Sequence, residues 1–387
     1  MRYHTQMKNN VVASRPETLL GGMDASQFLA EYWQKKPLLI RGALPGFNGL
    51  LSPEELAGLA CEDGVESRLV LQQKTAWRLE QGPFDEDSFL HLPPTDWTLL
   101  VQNVNHYLPE AAELLQQFDF IPHARLDDLM VSYAPEGGSV GPHFDSYDVF
   151  LLQGQGKRLW RVSEQQDLTL VEDAPLRILK HFAAEQEWLL EPGDMLYLPP
   201  HVAHWGIAVG NAMTYSIGFR APAAQELATQ FLGYLQERIR LPDLYADPNL
   251  ELQAHPAEIG PAMIEQVARM LQGIHWQTQD VARFLGSYLS EPKPHVVFDP
   301  PRAMSRAAFH RRLQQRGVGL ALQSQMLFRD EYCYLNGEET VMPEPCRPTL
   351  RQLADLRCLP AGEYSDDALV MLLHQWYLAG YCLFSTG

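Results

Sequence analysis

Gly141-Pro142-His143-Phe144-Asp145-Ser146-Tyr147-Asp148-Val149-Phe150 is the stretch on which the reading of this chain turns. Residues i and i+2 of a β-strand point to the same face, so the His143 imidazole and the Asp145 carboxylate would project side by side and share one metal ion. A third ligand must come from elsewhere. The best candidate is His204, in the run Glu191-Pro192-Gly193-Asp194-Met195-Leu196-Tyr197-Leu198-Pro199-Pro200-His201-Val202-Ala203-His204. Two His and one carboxylate make a facial triad, which leaves coordination positions open for oxygen chemistry at non-haem Fe(II).

A His-x-Asp tripeptide alone equally describes a polar surface strand, so its surroundings decide. A turn, Gly137-Gly138-Ser139-Val140-Gly141-Pro142, precedes the pair, and an apolar strand, Val149 to Leu152, follows it. Then come the turn Gly154-Gln155-Gly156 and a basic strand start, Lys157-Arg158. His204 follows a Pro-Gly-Asp turn and the strand Met195 to Leu198. This order predicts a double-stranded β-helix, in which ligands from an early and a late strand meet inside one barrel.

The chain has 387 residues, enough for two or three domains, and 46% hydrophobic residues, enough for a core. Its formal charge of −18 argues against direct nucleic-acid binding and suits a basic protein partner. Five scattered Cys with no Cys-x-x-Cys argue against a zinc ribbon and a disulfide framework and fit a cytoplasmic protein. No apolar run approaches the ~20 residues of a membrane span. Met1-Arg2-Tyr3-His4-Thr5 lacks the apolar region of a secretory signal.

Residues 1–22 read as a strand and loops. Asp24 or Ser26 caps a helix bearing Phe28, Leu29 and Tyr32, and Leu38-Leu39-Ile40 reads as a buried strand. Ser52-Pro53-Glu54-Glu55 is a capping box. Residues 68–84 alternate as strands do, while Trp97 to Leu108 and Ala111 to Phe118 read as helices. From Ala223 the pattern turns helical, with stripes at Leu227/Phe231/Tyr234/Leu235, at Ile259/Met263/Val267/Met270/Leu271 and at Phe284/Leu285/Tyr288/Leu289. So small a module has little private core and gains by docking on a second subunit. Pro292, Pro294, Pro300 and Pro301 mark a linker. Beyond it, helices around Phe309, Leu350 and Leu369, with a hairpin turning at Asn336-Gly337, suggest a winged-helix-like domain. Its last helix, 366–379, has two Asp and no Lys or Arg, unlike a DNA reader.

Segment 128–220 resembles the JmjC-type 2-oxoglutarate oxygenases. More closely, the chain resembles the bacterial ribosomal oxygenases that hydroxylate an arginine of a large-subunit ribosomal protein. The matching stretches are Asp128-Leu129-Met130, Gly141-Pro142-His143, Gln153-Gly154, Glu191 to Pro200, and Asn211-Ala212-Met213 through Tyr215-Ser216 to Gly218-Phe219-Arg220-Ala221-Pro222. The resemblance implies a mixed α and β chain in three parts. These are a JmjC-type catalytic domain over 1–222, a helical dimerisation domain over 223–295 and a winged-helix-like domain over 296–387.

The resemblance further implies Fe(II) with 2-oxoglutarate and O₂ as cosubstrates, a homodimer, and a basic ribosomal protein as substrate. Arg158 is the candidate cation for the far carboxylate of 2-oxoglutarate, since a guanidinium pairs bidentately with a carboxylate. The motif match gives Ser132 to the same carboxylate. His201 competes with His204 for the third ligand place; it follows Pro200 and should lie in a loop, and the family ligand occupies the place of His204. Glu136, Tyr147, Asp148 and Ser216 are candidates for the substrate-binding wall. Two further readings remain: a related oxygenase acting on a His, a Lys or a methylated residue of another protein, and a catalytically silent cupin-like scaffold.

Overall fold

Eleven strands between Leu38 and Phe219 build two antiparallel sheets in the computed structural model, which describes residues 17–73, 76–241 and 244–385. They are β1 (Leu38–Ile40), β2 (Ser67–Gln73), β3 (Ala76–Gln81), β4 (Trp97–Val101), β5 (Leu126–Ala134) and β6 (Val149–Gln153), then β7 (Lys157–Ser163), β8 (Gln186–Leu190), β9 (Met195–Leu198), β10 (Ala203–Val209) and β11 (Ala212–Phe219). The large sheet has the order β1-β9-β6-β11-β5-β4-β2-β3 and the small one β10-β7-β8. Face to face they form a cupin-type double-stranded β-helix.

Strand β6 shows why the barrel holds. All five of its residues are buried. Phe150 and Leu152 join the core outside the large sheet, while Val149 and Leu151 join the one shared with Trp160, Val162 and Leu190 of the small sheet. A strand covered on both faces reads as a continuous apolar run. The outer core takes in helix α1 (Ala25–Glu31), whose Phe28 is fully buried 5.0 Å from the Tyr197 ring. Asp24 caps α1 by accepting from the Gln27 N–H at 2.8 Å. Helix α2 (Pro53–Ala60) starts on the expected capping box: Ser52 N donates to Glu55 at 2.8 Å and Glu55 N to Ser52 at 3.2 Å.

Four local expectations are corrected. Trp97 to Leu108 is not a helix. Its first half is β4, with Leu99 paired to Tyr133 of β5, and a 3-10 turn at Val104–His106 follows. Four of the five β4 residues are buried, so both faces are covered and the alternation that would mark a strand is missing. After the short helix α3 (Asp87–Leu90) earlier in the chain, helix α4 runs Pro109–Gln116 and stops before Phe118. The first 16 residues of the segment read as strand and loops lie outside the described residues, and Glu17–Leu20 is a 3-10 turn. Finally, His143 belongs to no strand element. It makes an isolated bridge with His204, and β6 begins only at Val149.

The chain divides into two compact units whose limits differ from the three expected segments. The first takes the described residues up to Ala221, then Pro292–Gln325 and everything described from Pro343. Besides the barrel it holds helices α8 (Arg306–Arg316), α9 (Arg347–Leu356) and α10 (Asp367–Leu378) around the three-stranded sheet β16-β12-β17, formed by Cys358–Leu359, Val318–Leu320 and Cys382–Phe384. Phe309, Leu313, Leu350, Leu353, Leu369 and Leu373 are buried there.

The second unit is Pro222–Glu291 with Met326–Met342. It holds α5 (Ala224–Arg238), α6 (Pro261–Leu271), α7 (Thr278–Ser290) and the meander β13 (Met326–Arg329), β14 (Tyr332–Leu335), β15 (Glu338–Val341). Asn336 and Gly337 turn the β14–β15 hairpin with positive φ at both positions, as an Asn-Gly hairpin requires. Gly286 of α7 lies against the Tyr334 ring, and Arg283 pairs with Glu339 at 2.8 Å. Helix α6 buries no residue, and Met263, Ile264, Val267 and Leu271 of its apolar stripe are exposed. Among the described residues no helix is long and apolar enough to cross a membrane.

Candidate metal centre and cosubstrate cavity

His143 and His204 meet because their backbones bond each other. His143 N donates to His204 O at 2.9 Å and His204 N to His143 O at 2.8 Å, which brings the imidazole centroids to 4.2 Å. Gly141, at φ +82°, turns the chain so that its carbonyl accepts from His143 Nδ1 at 2.9 Å. The Val202 carbonyl does the same for His204 Nδ1 at 3.0 Å. With Nδ1 facing a carbonyl oxygen in both rings, the proton belongs on Nδ1 and the lone pair on Nε2.

Asp145 Oδ2 stands 3.6 Å from His204 Nε2, and donor atoms of all three residues lie within 4.8 Å of one another. Cis ligands held at about 2.1 Å from one ion lie about 3 Å apart, so a small contraction completes a facial triad. Burial, with His143 beside it, pushes the His204 pKa down to about 4, which keeps this ring a neutral ligand. His201 stands outside the set. It is exposed at φ +65°, donates its N–H to the Asp145 carbonyl at 2.8 Å, and lays its ring 5.9 Å from Phe144.

The three residues open into a cavity of about 500 Å³. Its walls follow the pleat. Asp128, Met130 and Ser132 alternate along β5, opposite Thr214 and Ser216 of β11, with Ser132 paired to Thr214 and Met130 to Ser216. Arg158 enters from β7 of the small sheet, where it pairs with Ala208. It is 4% exposed, yet its Nε and Nη2 have no hydrogen-bond partner. Burial lowers its pKa to about 10. The Trp160 ring lies 5.9 Å from its guanidinium and 5.8 Å from the His204 ring. A buried, unpaired guanidinium is unfavourable on its own and fits an anion that the site receives. Ser132 Oγ has only a 3.5 Å contact to the Thr214 carbonyl, and its hydroxyl faces the same cavity. The donor set therefore fits a metal ion, and the orphaned Arg158 with Ser132 fits the far carboxylate of a dicarboxylate bound to it.

The candidates for the substrate wall divide. Tyr147 and Ser216 line the cavity; Glu136 and Asp148 do not. Glu136 accepts from the Gly210 N–H. Asp148 is fully buried and accepts from the Tyr197 hydroxyl at 2.6 Å and from Gln34 at 2.9 Å, so it ties β9 to the end of α1. Short polar side chains beside a ligand pair can as well be struts, and these two are. The reading of the sequence missed Asp128. Its carboxylate is 6% exposed, lines the cavity, and accepts from Asn103 N at 3.0 Å. Burial, with Asp127 beside it, raises its pKa to about 6. The signal was present: Asp128 stands two and four residues before Met130 and Ser132, on one face of one strand.

Barrel, triad and unpaired arginine together define a 2-oxoglutarate-dependent oxygenase of the JmjC type. A JmjC domain model matches residues 113–227, and a ROXA-like winged helix model matches residues 273–383. The ribosomal protein uL16 3-hydroxylase of Escherichia coli is 38% identical over 344 residues, covering 88% of this chain and 91% of that protein. The crystal structure of E. coli YcfD matches with a TM-score of 0.83 at 36% identity, over 94% of this chain and 98% of that one. A YcfD structure in complex with cobalt and 2-oxoglutarate matches with a TM-score of 0.80 over the same shares. The chain belongs to the ribosomal oxygenase family.

Proposed function

We propose that this chain hydroxylates an arginine side chain of a large-subunit ribosomal protein, using Fe(II), 2-oxoglutarate and O₂. The observation that carries the reading is a cavity with a cation at one place and a carboxylate at another. Arg158 Nε and Nη2 have no hydrogen-bond partner, and burial raises the Asp128 pKa to about 6, so each of the two groups gains from an opposite charge brought in by a ligand. His143, Asp145 and His204 would hold the metal, which when bound supplies the activation of O₂ that hydroxylation of a C–H bond needs. Arg158 and Ser132 hold the far carboxylate of 2-oxoglutarate, and the Trp160 ring keeps water from that ion pair. Asp128 takes the substrate guanidinium, with Ser216 and Tyr147 beside it. The reacting carbon is thus placed by ion pairing rather than by fit alone.

The arrangement of partners follows from surfaces. On α6, Met263, Ile264, Val267 and Leu271 are all exposed, between 37% and 57%. An apolar face of that extent on a helix with no buried residue supports a two-fold homodimer built on segment 223–295. Segment 1–222 acts as the catalytic domain and 296–387 as a winged-helix-like domain for protein contact. The formal charge of −18 supports a free basic ribosomal protein as the substrate rather than one coated in RNA phosphate. The five free Cys support a cytoplasmic setting.

The test offers paired peptides, identical but for Arg or Lys at the reacting position, to the Fe(II)-loaded chain with 2-oxoglutarate. Succinate and one added oxygen should form with the Arg peptide. Preference for the Lys peptide would overturn the arginine reading.

A further inference from the structure

Pro292-Lys293-Pro294 reads in the sequence as part of a linker. A proline fixes its own φ, and the residue before a proline is confined to extended conformations, so Lys293 sits on a stiff, projecting piece of chain. The first compact unit contains this piece, and its lysine reaches the barrel wall. Lys293 Nζ donates to Asn103 Oδ1 at 3.0 Å and lies 3.4 Å from Asp127 Oδ1. Asn103 is 1% exposed and holds φ +54°, a left-handed conformation that Asn tolerates better than most residues. That backbone geometry aims the Asn103 N–H at Asp128 Oδ2, at 3.0 Å. Asp127 and Asp128 both line the cavity.

We propose that Lys293 is a positioning residue for the substrate: by holding Asn103 and offsetting Asp127, it keeps Asp128 oriented and charged to receive a cationic side chain. The inference rests on the reading of Asp128 given above. Two adjacent carboxylates in a half-buried wall repel each other. Lys293 lies beside Asp127, together with Arg220, whose Nε is 3.4 Å from the same oxygen. Charges acting on Asp128 come from every side. Asp127 and Glu66 disfavour its ionisation, whereas Lys293 and the Asn103 N–H favour it. Tyr147 is within electrostatic reach, and Arg68 and Gln102 line the same cavity. Removing the lysine leaves the two neighbouring aspartates with one cation fewer, so Asp128 holds its proton to higher pH.

The experiment compares K293M, K293R, N103G and D128N. Glycine at 103 keeps the positive φ accessible while deleting the Oδ1 acceptor. Two quantities are read. One is binding of an arginine-bearing basic peptide to the metal-free chain; the other is KM and kcat for that peptide across pH in the Fe(II)-loaded enzyme. K293M and N103G should each raise the peptide Kd and KM about fivefold to tenfold, with kcat changed much less. The K293M defect should be largest near about pH 6.5 and shrink as the pH rises, because alkali restores the Asp128 charge. K293R should bind nearly as wild type. Should K293M fail to fold, N103G carries the same expectation. Wild-type Kd and pH profile in K293M or N103G, while D128N has lost binding, would overturn the role of Lys293 and leave that of Asp128 standing. Wild-type binding in D128N would overturn both.

Discussion

His143 and His204 exchange both of their backbone hydrogen bonds, at 2.9 and 2.8 Å, although they belong to distant parts of the chain. This reciprocal bridge sets the two imidazoles 4.2 Å apart and leaves Asp145 3.6 Å from the second of them. The metal site is thus fixed by backbone pairing, and each side chain is a replaceable donor on a rigid frame. His143→Ala, Asp145→Ala and His204→Ala should each abolish Fe(II)-dependent turnover and lower Fe(II) affinity, with the fold intact by circular dichroism. His201→Ala should keep activity, since its ring lies outside the donor set. Full turnover in Asp145→Ala would show that the triad is misassigned.

Arg158 makes an opposite pair of predictions in the empty and loaded protein. Arg158→Ala should raise the 2-oxoglutarate requirement strongly, because leaving a buried carboxylate unpaired costs about 3–5 kcal/mol. Arg158→Lys should recover part of this, as an ammonium offers a point charge without the planar fork. No side chain or backbone group of the protein bonds the buried Nε and Nη2 of this guanidinium. Arg158→Met should therefore melt no lower than wild type and show no thermal stabilisation by 2-oxoglutarate. A wild-type 2-oxoglutarate shift in that variant would place the cation elsewhere.

Asp128 predicts a trade between stability and substrate binding. Its pKa is raised to about 6 in the folded chain, above the ordinary carboxylate value. A raised carboxyl pKa means that the folded state holds the proton more tightly than the unfolded one. The associated stability is present below about pH 4, is lost as pH rises through about 6, and stays lost at neutral pH. Asp128→Asn should therefore gain up to about 3 kcal/mol at pH 7.5, gain little near pH 4, and lose affinity for a cationic substrate. Thermal melts at the two pH values check the sign. A variant less stable than wild type at pH 7.5 would mean that the carboxylate is a structural anchor.

The exposed face of α6 predicts the oligomer. Ile264→Glu and Val267→Glu alter side chains that are 57% and 37% exposed in the single chain, so they should not disturb its fold. They should convert a dimer into a monomer in sedimentation velocity at micromolar concentration. Phe231 is less suitable for this test, since its ring already packs 5.3 Å from Phe284. A wild-type chain that sediments as a monomer would contradict the interface.

Much of this site was legible because its chemistry sits in short motifs. His143, Asp145, His204 and Arg158 could be singled out by residue type, spacing and family resemblance, and the structure brings all four to one cavity. What spacing could not supply was direction across a sheet. Glu136 and Asp148 flank the ligands in sequence, yet they satisfy backbone and tyrosine donors. Asp128 lies farther away in sequence but shares the inner face with Ser132. Strand β4 was hidden because burial on both faces removes the alternation that marks a strand. The α6 stripe was legible as an apolar helix face, but its period alone does not say whether the face is covered within the chain or left exposed, as it is here. Lys293 was hidden in a proline-rich run because its partners, Asn103 and Asp127, are distant in the chain.

The central claim is that this oxygenase acts on a free, basic ribosomal protein through an arginine that enters the cavity. The most direct measurement offers the Fe(II)-loaded chain the isolated large-subunit protein uL16 and, separately, intact large subunits, and follows intact mass and tryptic peptides. Phosphate-coated particles should repel a chain of −18 formal charge, whereas a free basic protein should be attracted, and less so as salt rises. The account predicts a gain of one oxygen on an arginine of the isolated protein, dependent on 2-oxoglutarate, with little gain on intact subunits. Oxygen on a residue other than arginine, or equal modification of intact subunits, would contradict it.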